Sequence, residues 1–222
     1  MANREEEIYE KLKGEIINLD LVPGTKIREE DLVNRFHISR TPIRAVILRL
    51  ELDGFLIVAP KRGTYVSKMD AKQINDSLFI RKAVEATVLT SLMDTITEDQ
   101  IKELEDLLQK QEEIVLMEPS IEKSKLFFHN DNLFHATLFR FMNLEGVWKE
   151  IHTNQNNLNR VRIMANLRET NKVEKVYAQH VQILEGLKEK NLDKTLEAFK
   201  DHIDGGFEGI DNVIKKYKDY FI

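Results

Sequence analysis

The spacing of apolar positions changes twice along this chain. Over residues 4–18, Ile8, Leu12 and Ile16 recur every fourth residue, the stripe of an amphipathic helix. Leu21-Val22-Pro23-Gly24 then closes it, because neither proline nor glycine readily extends a helix. A short helix over 31–36 meets a turn at His37-Ile38-Ser39. The next helix carries Ile43, Ile47 and Leu50 on one face and Arg40, Thr41 and Arg44 on another. Pro42 falls in its first turn whether Ser39 or Thr41 is the cap, and there the missing N–H costs little; Asp53-Gly54 stops the helix. Runs at 55–59 and 64–67 read as short strands flanking the basic turn Pro60-Lys61-Arg62-Gly63.

After Lys68 the pattern becomes helical throughout, with one proline, Pro119, and no strand alternation. Asp70-x-x-Gln73 and Thr97-x-x-Gln100 are capping-box patterns that open helices over 70–93 and 97–117. Further helices are expected over 120–141, 144–167, 172–190 and 192–219. The Gly205-Gly206 pair and Gly209 fall inside the last of these, where glycine costs helix stability, so they mark a kink or a close approach. The expected fold is mainly α. A winged helix-turn-helix spans 1–68, and an all-helical bundle of roughly six helices spans 69–222.

Composition narrows the class. A hydrophobic content of 42% with 32% charged residues fits a globular chain, and no apolar run approaches the roughly 20 residues that cross a bilayer. The start, MANREEEIYEKLKGEI, is acidic and lacks the apolar stretch of a signal peptide. With no cysteine, disulfides and thiolate ligands are excluded, and any metal site must use His, Asp or Glu. These features fit a cytoplasmic protein. The net charge of −5 conceals an uneven split: residues 1–68 hold 12 Lys and Arg against 11 Asp and Glu, whereas 69–222 hold 21 against 27. Within 35–68, seven basic residues face two acidic ones. Because charges beyond about 10 Å are screened at ordinary salt, this local field governs phosphate contact.

Helix, turn, basic helix and basic hairpin together place one helix in the major groove of double-stranded DNA. Arg40, Thr41 and Arg44, with Arg49 from the same basic set, are the expected groove contacts; Lys61, Arg62 and Gly63 would approach the backbone or the minor groove. The competing reading of these residues is a solvated basic face. In the bundle, Asp131 and His135 are four apart and share a helix face. His180 and His202 each lie 11 residues from Asn191, so an antiparallel hairpin turning there sets them level, roughly 16 Å from the turn. Three imidazoles and a carboxylate suit zinc first, with nickel, iron or manganese as other candidates. Hydrogen-bonded structural histidines and a helix-stabilising Asp–His pair explain the same residues, and spacing alone leaves both readings open. His37, His129 and His152 read as turn, surface or core residues, and Arg81 with Glu85 as an ion pair on a helix surface.

The segment PGTKIREEDLVNRFHISRTPIRAVILRLELDGFLIVAPKRGTYV resembles the GntR-family winged helix, densely over 21–66. The remainder, over about 75–205, is similar to the ligand-binding domain of the FadR subfamily, the FCD type. That pattern has D-x-x-F-H in one helix, here Asp131, Phe134 and His135, and two later histidines about 22 apart, here His180 and His202. The resemblance fills all four metal-ligand positions. It implies a homodimeric transcription regulator, not an enzyme, that binds operator DNA and responds to a small organic acid, with Arg81 as a pocket residue. The family's Arg-Glu-Ala after SRTP is Arg44-Ala45-Val46 here, which removes or replaces one helix contact. The fatty-acyl-responsive founder lacks the metal ligands, so acyl-CoA is not the expected effector. Two rivals remain at this level: a metal-dependent enzyme carrying a DNA-binding domain, and a regulator whose metal is structural or is itself the signal.

Overall fold

The computed structural model describes residues 2–153, 156–166, 172–206 and 210–222. The chain divides into two compact units: one of Met1–Ile74, Asn156–Arg160 and Asp211–Ile222, the other of Asn75–Gln155 and Val161–Ile210.

In the first unit, α1 (Ala2–Ile17) is followed by β1 (Lys26–Ile27), α2 (Glu29–Phe36) and α3 (Arg40–Leu52), then β2 (Leu56–Ala59) and β3 (Gly63–Val66). The apolar stripes meet as their spacing requires: Ile8, Leu12 and Ile16 are buried with Leu32, Phe36, Ile43, Val46 and Leu50. Burying a side chain of this size contributes about 1.5–3 kcal/mol. His37 ends α2 in the left-handed region (φ 52°), which turns the chain within three residues into α3. The hairpin pairs Leu56 with Val66 and Ala59 with Gly63. Strand β1, at two residues too short to announce itself in the sequence, adds to the far side of β3, giving the order β1-β3-β2. Two later segments also belong to this unit. Asn156 donates to the Asp53 carbonyl (2.9 Å), Arg160 Nη1 donates to the Ser67 carbonyl (2.7 Å), and Met69 bridges Phe221 in parallel.

The second unit is helical among its described residues: α4 (Ala71–Leu92), α5 (Glu98–Val115), α6 (Ile121–Phe141), α7 (Glu145–Thr153), α8 (Asn156–Asn166), α9 (Lys172–Lys188) and α10 (Leu192–Gly206), with the first turns of α4 and α8 counted in the first unit. Both capping signals act: Thr97 and Gln100 form a complete capping box, and Asp70 Oδ1 accepts from the Lys72 N–H at 2.8 Å. The helix expected over 144–167 is described as α7 and α8, with residues 154 and 155 outside the described set. That expected over 192–219 is described as α10, α11 (Ile210–Lys216) and a 3-10 turn at Lys218–Tyr220, and Gly209 lies outside the described residues. The core gathers Leu89, Leu92, Leu104, Phe134, Ile183 and Phe199 around the inner faces.

The α9–α10 hairpin is fixed by its turn. Lys190 takes a left-handed φ of 52°, the Asn191 N–H returns to the Gly186 carbonyl (2.9 Å), and Asn191 Oδ1 caps the Lys194 N–H (3.0 Å). A Cβ on Gly186 would lie 2.4 Å from Thr195 Oγ1 and 2.9 Å from its backbone N, so only glycine lets the two helices close to this distance. Gly205 settles its own alternative as a close approach: a Cβ there would meet Gln179 Nε2 at 3.1 Å.

Candidate functional site

In the first unit, Arg40, Thr41 and Arg44 stand exposed on the first turns of α3, opposite the buried Ile43–Ile47 face. Arg44 Nε donates to Glu29 Oε2 (2.9 Å), an exposed pair of low intrinsic strength. Arg49, at the other end of α3, pairs with Glu6 and places its guanidinium 3.6 Å from the Tyr9 ring centroid, so it is engaged within the unit. At the wing tip the Arg62 N–H closes a turn onto the Ala59 carbonyl (3.0 Å). Lys61 holds a φ of 62° there, and Gly63 a φ of 119° that a side chain rarely adopts. Lys61 and Arg62 are exposed.

In the second unit, three helices deliver one cluster. Helix α6 supplies Asp131 and His135, α9 His180 and α10 His202, and all four are buried. The level hairpin brings the His180 and His202 rings to 4.4 Å between centroids, and Phe134 stacks on His180 at 4.3 Å. The inward atoms converge. His135 Nε2 lies 2.9 Å from His202 Nε2, and Asp131 Oδ1 lies 3.6, 3.9 and 4.0 Å from Nε2 of His180, His202 and His135. A metal about 2.1 Å from each ligand would space neighbouring ligand atoms from about 3 Å at right angles to about 4.2 Å across the ion. The observed separations fall in that range. Among the described residues Asp131 Oδ1 and His180 Nε2 have no hydrogen-bond partner, and a buried polar atom left so costs about 1–3 kcal/mol. Three imidazole nitrogens and a carboxylate oxygen converging in the core are the ligand set a divalent cation satisfies.

The surrounding charges are also buried. Arg81 Nε donates to Glu85 Oε1 (2.5 Å), and both side chains are 1% exposed. The surface ion pair expected from their i,i+4 spacing is therefore corrected to a core pair, because α4 is covered on this face by the helices that carry the cluster. Arg81 Nη1 and Nη2 have no hydrogen-bond partner among the described residues. Arg162, from α8, donates to Asp131 Oδ2 (2.5 Å). Gln111 and Arg162 were not singled out by the sequence, since an arginine in the run LNRVRIM or a glutamine inside α5 reads as an ordinary helix residue. Their burial is the signal, and it emerges only from packing.

Burial pushes the His180 imidazole down to about 3, against the pull of Asp131 in the other direction, and it holds His202 well below 6.5. Burial works to raise Asp131 and Glu85, but the arginines beside them prevail: Arg162 holds Asp131 well below its usual range, and Arg81, with His135, holds Glu85 at about 2. His180 and His202 are thus neutral and the carboxylates charged, the forms that ligate metal. In the unfolded chain His180 and His202 take up protons below about 6.5, whereas in the fold His180 refuses one until about 3 and His202 until well below 6.5. The metal-free protein is therefore expected to lose stability as pH falls from about 6.5, by up to about 1.4 kcal/mol per pH unit per group. The carboxylates add to that slope below 4.5. Urea midpoints measured from pH 8 to 4 check this, and a flat profile between 7 and 5 would contradict it.

Residues 4–66 match the model of the bacterial regulatory proteins of the gntR family, and residues 76–205 match that of the FCD domain. The chain belongs to the GntR family, with an FCD domain. This GntR regulator is 29% identical over 218 residues to the HTH-type transcriptional repressor RspR of Escherichia coli K12, covering 97% of this chain and 92% of that protein. It is 30% identical over 207 residues to an HTH-type regulator from an unstable DNA locus of Streptomyces ambofaciens, covering 93% and 85%. The solved structure of E. coli McbR/YncC superposes with a TM-score of 0.75 over 99% of this chain and 100% of that one, at 18% identity, which establishes the shared fold. Family and relatives are transcriptional regulators and not enzymes.

Proposed function

We propose that this GntR-family regulator binds operator DNA as a homodimer and, as a metal-loaded member of the FadR subfamily, senses a small carboxylate in its FCD domain. It acts in the cytoplasm, where its operator is. Asp131, His135, His180 and His202 hold one divalent ion, with zinc the first candidate, and the observation that carries this is the convergence of their four buried ligand atoms on one point. The ion supplies a Lewis-acidic positive centre with coordination positions beyond the four protein ligands.

Charge favours an anionic effector. Arg81 and Arg162 offset Glu85 and Asp131 within the buried cluster, so a divalent ion adds two positive charges that these two carboxylates, already paired, do not balance. A carboxylate brings negative charge and oxygen donors together. Arg81 is the residue suited to clamp it, having two buried Nη groups without hydrogen-bond partners among the described residues.

On the DNA side, Arg40, Thr41 and Arg44 enter the major groove, while Lys61, Arg62 and Gly63 follow the backbone or minor groove. Arg44 must exchange Glu29 for DNA, which costs little because both groups are exposed. Arg49 serves as a secondary contact, reaching DNA only on release from Glu6. Arg40→Ala and Arg44→Ala are each expected to weaken specific operator binding by about 1–3 kcal/mol, and Lys61→Ala to weaken all sequences alike with a salt slope lower by about one. Anisotropy titrations at several salt concentrations measure both, and unchanged affinity in the two arginine variants would remove this docking geometry.

A further inference from the structure

The metal ligands are themselves held, and unequally. Gln111, on α5 and fully buried, donates its Nε2–H to the Asn130 carbonyl (3.2 Å). A carbonyl only accepts, so this contact fixes which way the amide points and turns Oε1 toward His180 Nδ1, 2.8 Å away. Oε1 also only accepts. His180 must therefore carry its proton on Nδ1, leaving the Nε2 lone pair free to face the cluster. His135 is held by a charge: its Nδ1 sits 2.6 Å from Glu85 Oε2, an ion-pair contact off the hydrogen-bonding angle that turns the proton of Nδ1, and not its lone pair, toward the carboxylate. The other Glu85 oxygen receives Arg81 Nε, which keeps the carboxylate ionised and acceptor-only. His202 Nδ1 has no hydrogen-bond partner among the described residues.

We propose that Glu85 and Gln111 are positioning residues of the metal centre, each locking one histidine in the tautomer that presents Nε2 to the ion. This rests on the metal reading above. The support is graded from carboxylate on His135 to amide on His180 to none on His202. A carboxylate behind an imidazole raises its basicity as well as fixing its orientation, so His135 is the best-supplied of the three ligands. Glu85 cannot be replaced by its amide without conflict. Glutamine at 85 would aim its NH2 either at Arg81 Nε, donor against donor, or at His135 Nδ1. In the second case it would favour the tautomer with the proton on Nε2, which cannot ligate.

Zinc affinity of the full chain, measured by competition with a chromophoric chelator, tests this. Glu85→Gln is expected to bind about 10- to 100-fold more weakly than wild type, and Gln111→Met about tenfold more weakly. A purely structural role would lower the melting temperature of the metal-free protein without changing the affinity of the folded form. The second readout is the His135 Nδ1–H resonance in zinc-loaded, 15N-histidine-labelled protein, expected far downfield in wild type and displaced upfield in Glu85→Gln. If Glu85→Gln does not fold, Gln111→Met, which strands no charge, carries the test alone. Wild type binding zinc tightly while both variants match it within about twofold would overturn the positioning roles and leave the metal reading intact. Wild type failing to bind zinc at all would overturn the metal reading itself.

Discussion

His180→Ala is expected to abolish tight divalent-metal binding and, with it, the stabilisation that metal brings. The site has four ligands on three helices, α6, α9 and α10, so its assembly requires the folded bundle and its occupation favours that fold. At a free ion concentration a thousandfold above the dissociation constant, binding the native state alone contributes about 4.1 kcal/mol. Wild type should therefore melt several degrees higher with zinc than with chelator, and His180→Ala should melt alike in both. His202→Ala should behave the same way, since its Nε2 lies 2.9 Å from His135 Nε2 in the cluster. Calorimetry with elemental analysis of the purified protein reads both quantities. Full metal occupancy in either variant would remove the hairpin histidines from the site.

The second large effect concerns the pair on α4. Arg81→Met should destabilise the metal-free protein by about 3–5 kcal/mol, because it strands the Glu85 carboxylate in the core; a surface pair of the same spacing would cost at most about 1 kcal/mol. Removing both charges in Arg81→Met/Glu85→Leu should recover much of that loss, as exchanging a buried pair for apolar groups of similar volume is often neutral. Urea denaturation of the three proteins separates the cases. Equal losses in the single and double variants would mean that packing, and not the stranded charge, sets the cost.

Much of this arrangement was legible in the sequence because it depends on periodicity. The stripe of Ile8, Leu12 and Ile16, the i,i+4 relation of Asp131 to His135 and the equal distances of His180 and His202 from Asn191 all follow from helix geometry and one turn. The winged head was legible through its punctuation, with Gly54 and Gly63 at positive φ, where the backbone favours glycine. What periodicity does not carry is depth. Arg81 and Glu85 satisfy the spacing of a surface pair, and only the covering of α4 makes them core residues. Gln111 and Arg162 acquire their roles from residues far along the chain, His180 and Asp131, which no local pattern connects to them. Strand β1 was missed for a related reason: two residues cannot alternate, and their pairing is imposed by β3.

The central claim is that the metal centre and the operator are linked through a small carboxylate. The direct measurement is the operator affinity of zinc-loaded wild type, zinc-stripped wild type and Asp131→Ala, each titrated with a panel of mono- and dicarboxylic acids. Asp131 is the only carboxylate among the four ligands, and its loss also frees Arg162 from its partner at 2.5 Å, so this variant removes the site at its centre. An acid from the panel is expected to shift operator affinity of the loaded wild type by about 5- to 150-fold, the usual range of allosteric coupling. It should leave the other two unchanged. An acid that shifts all three equally would contradict the account, placing the sensing site away from the metal.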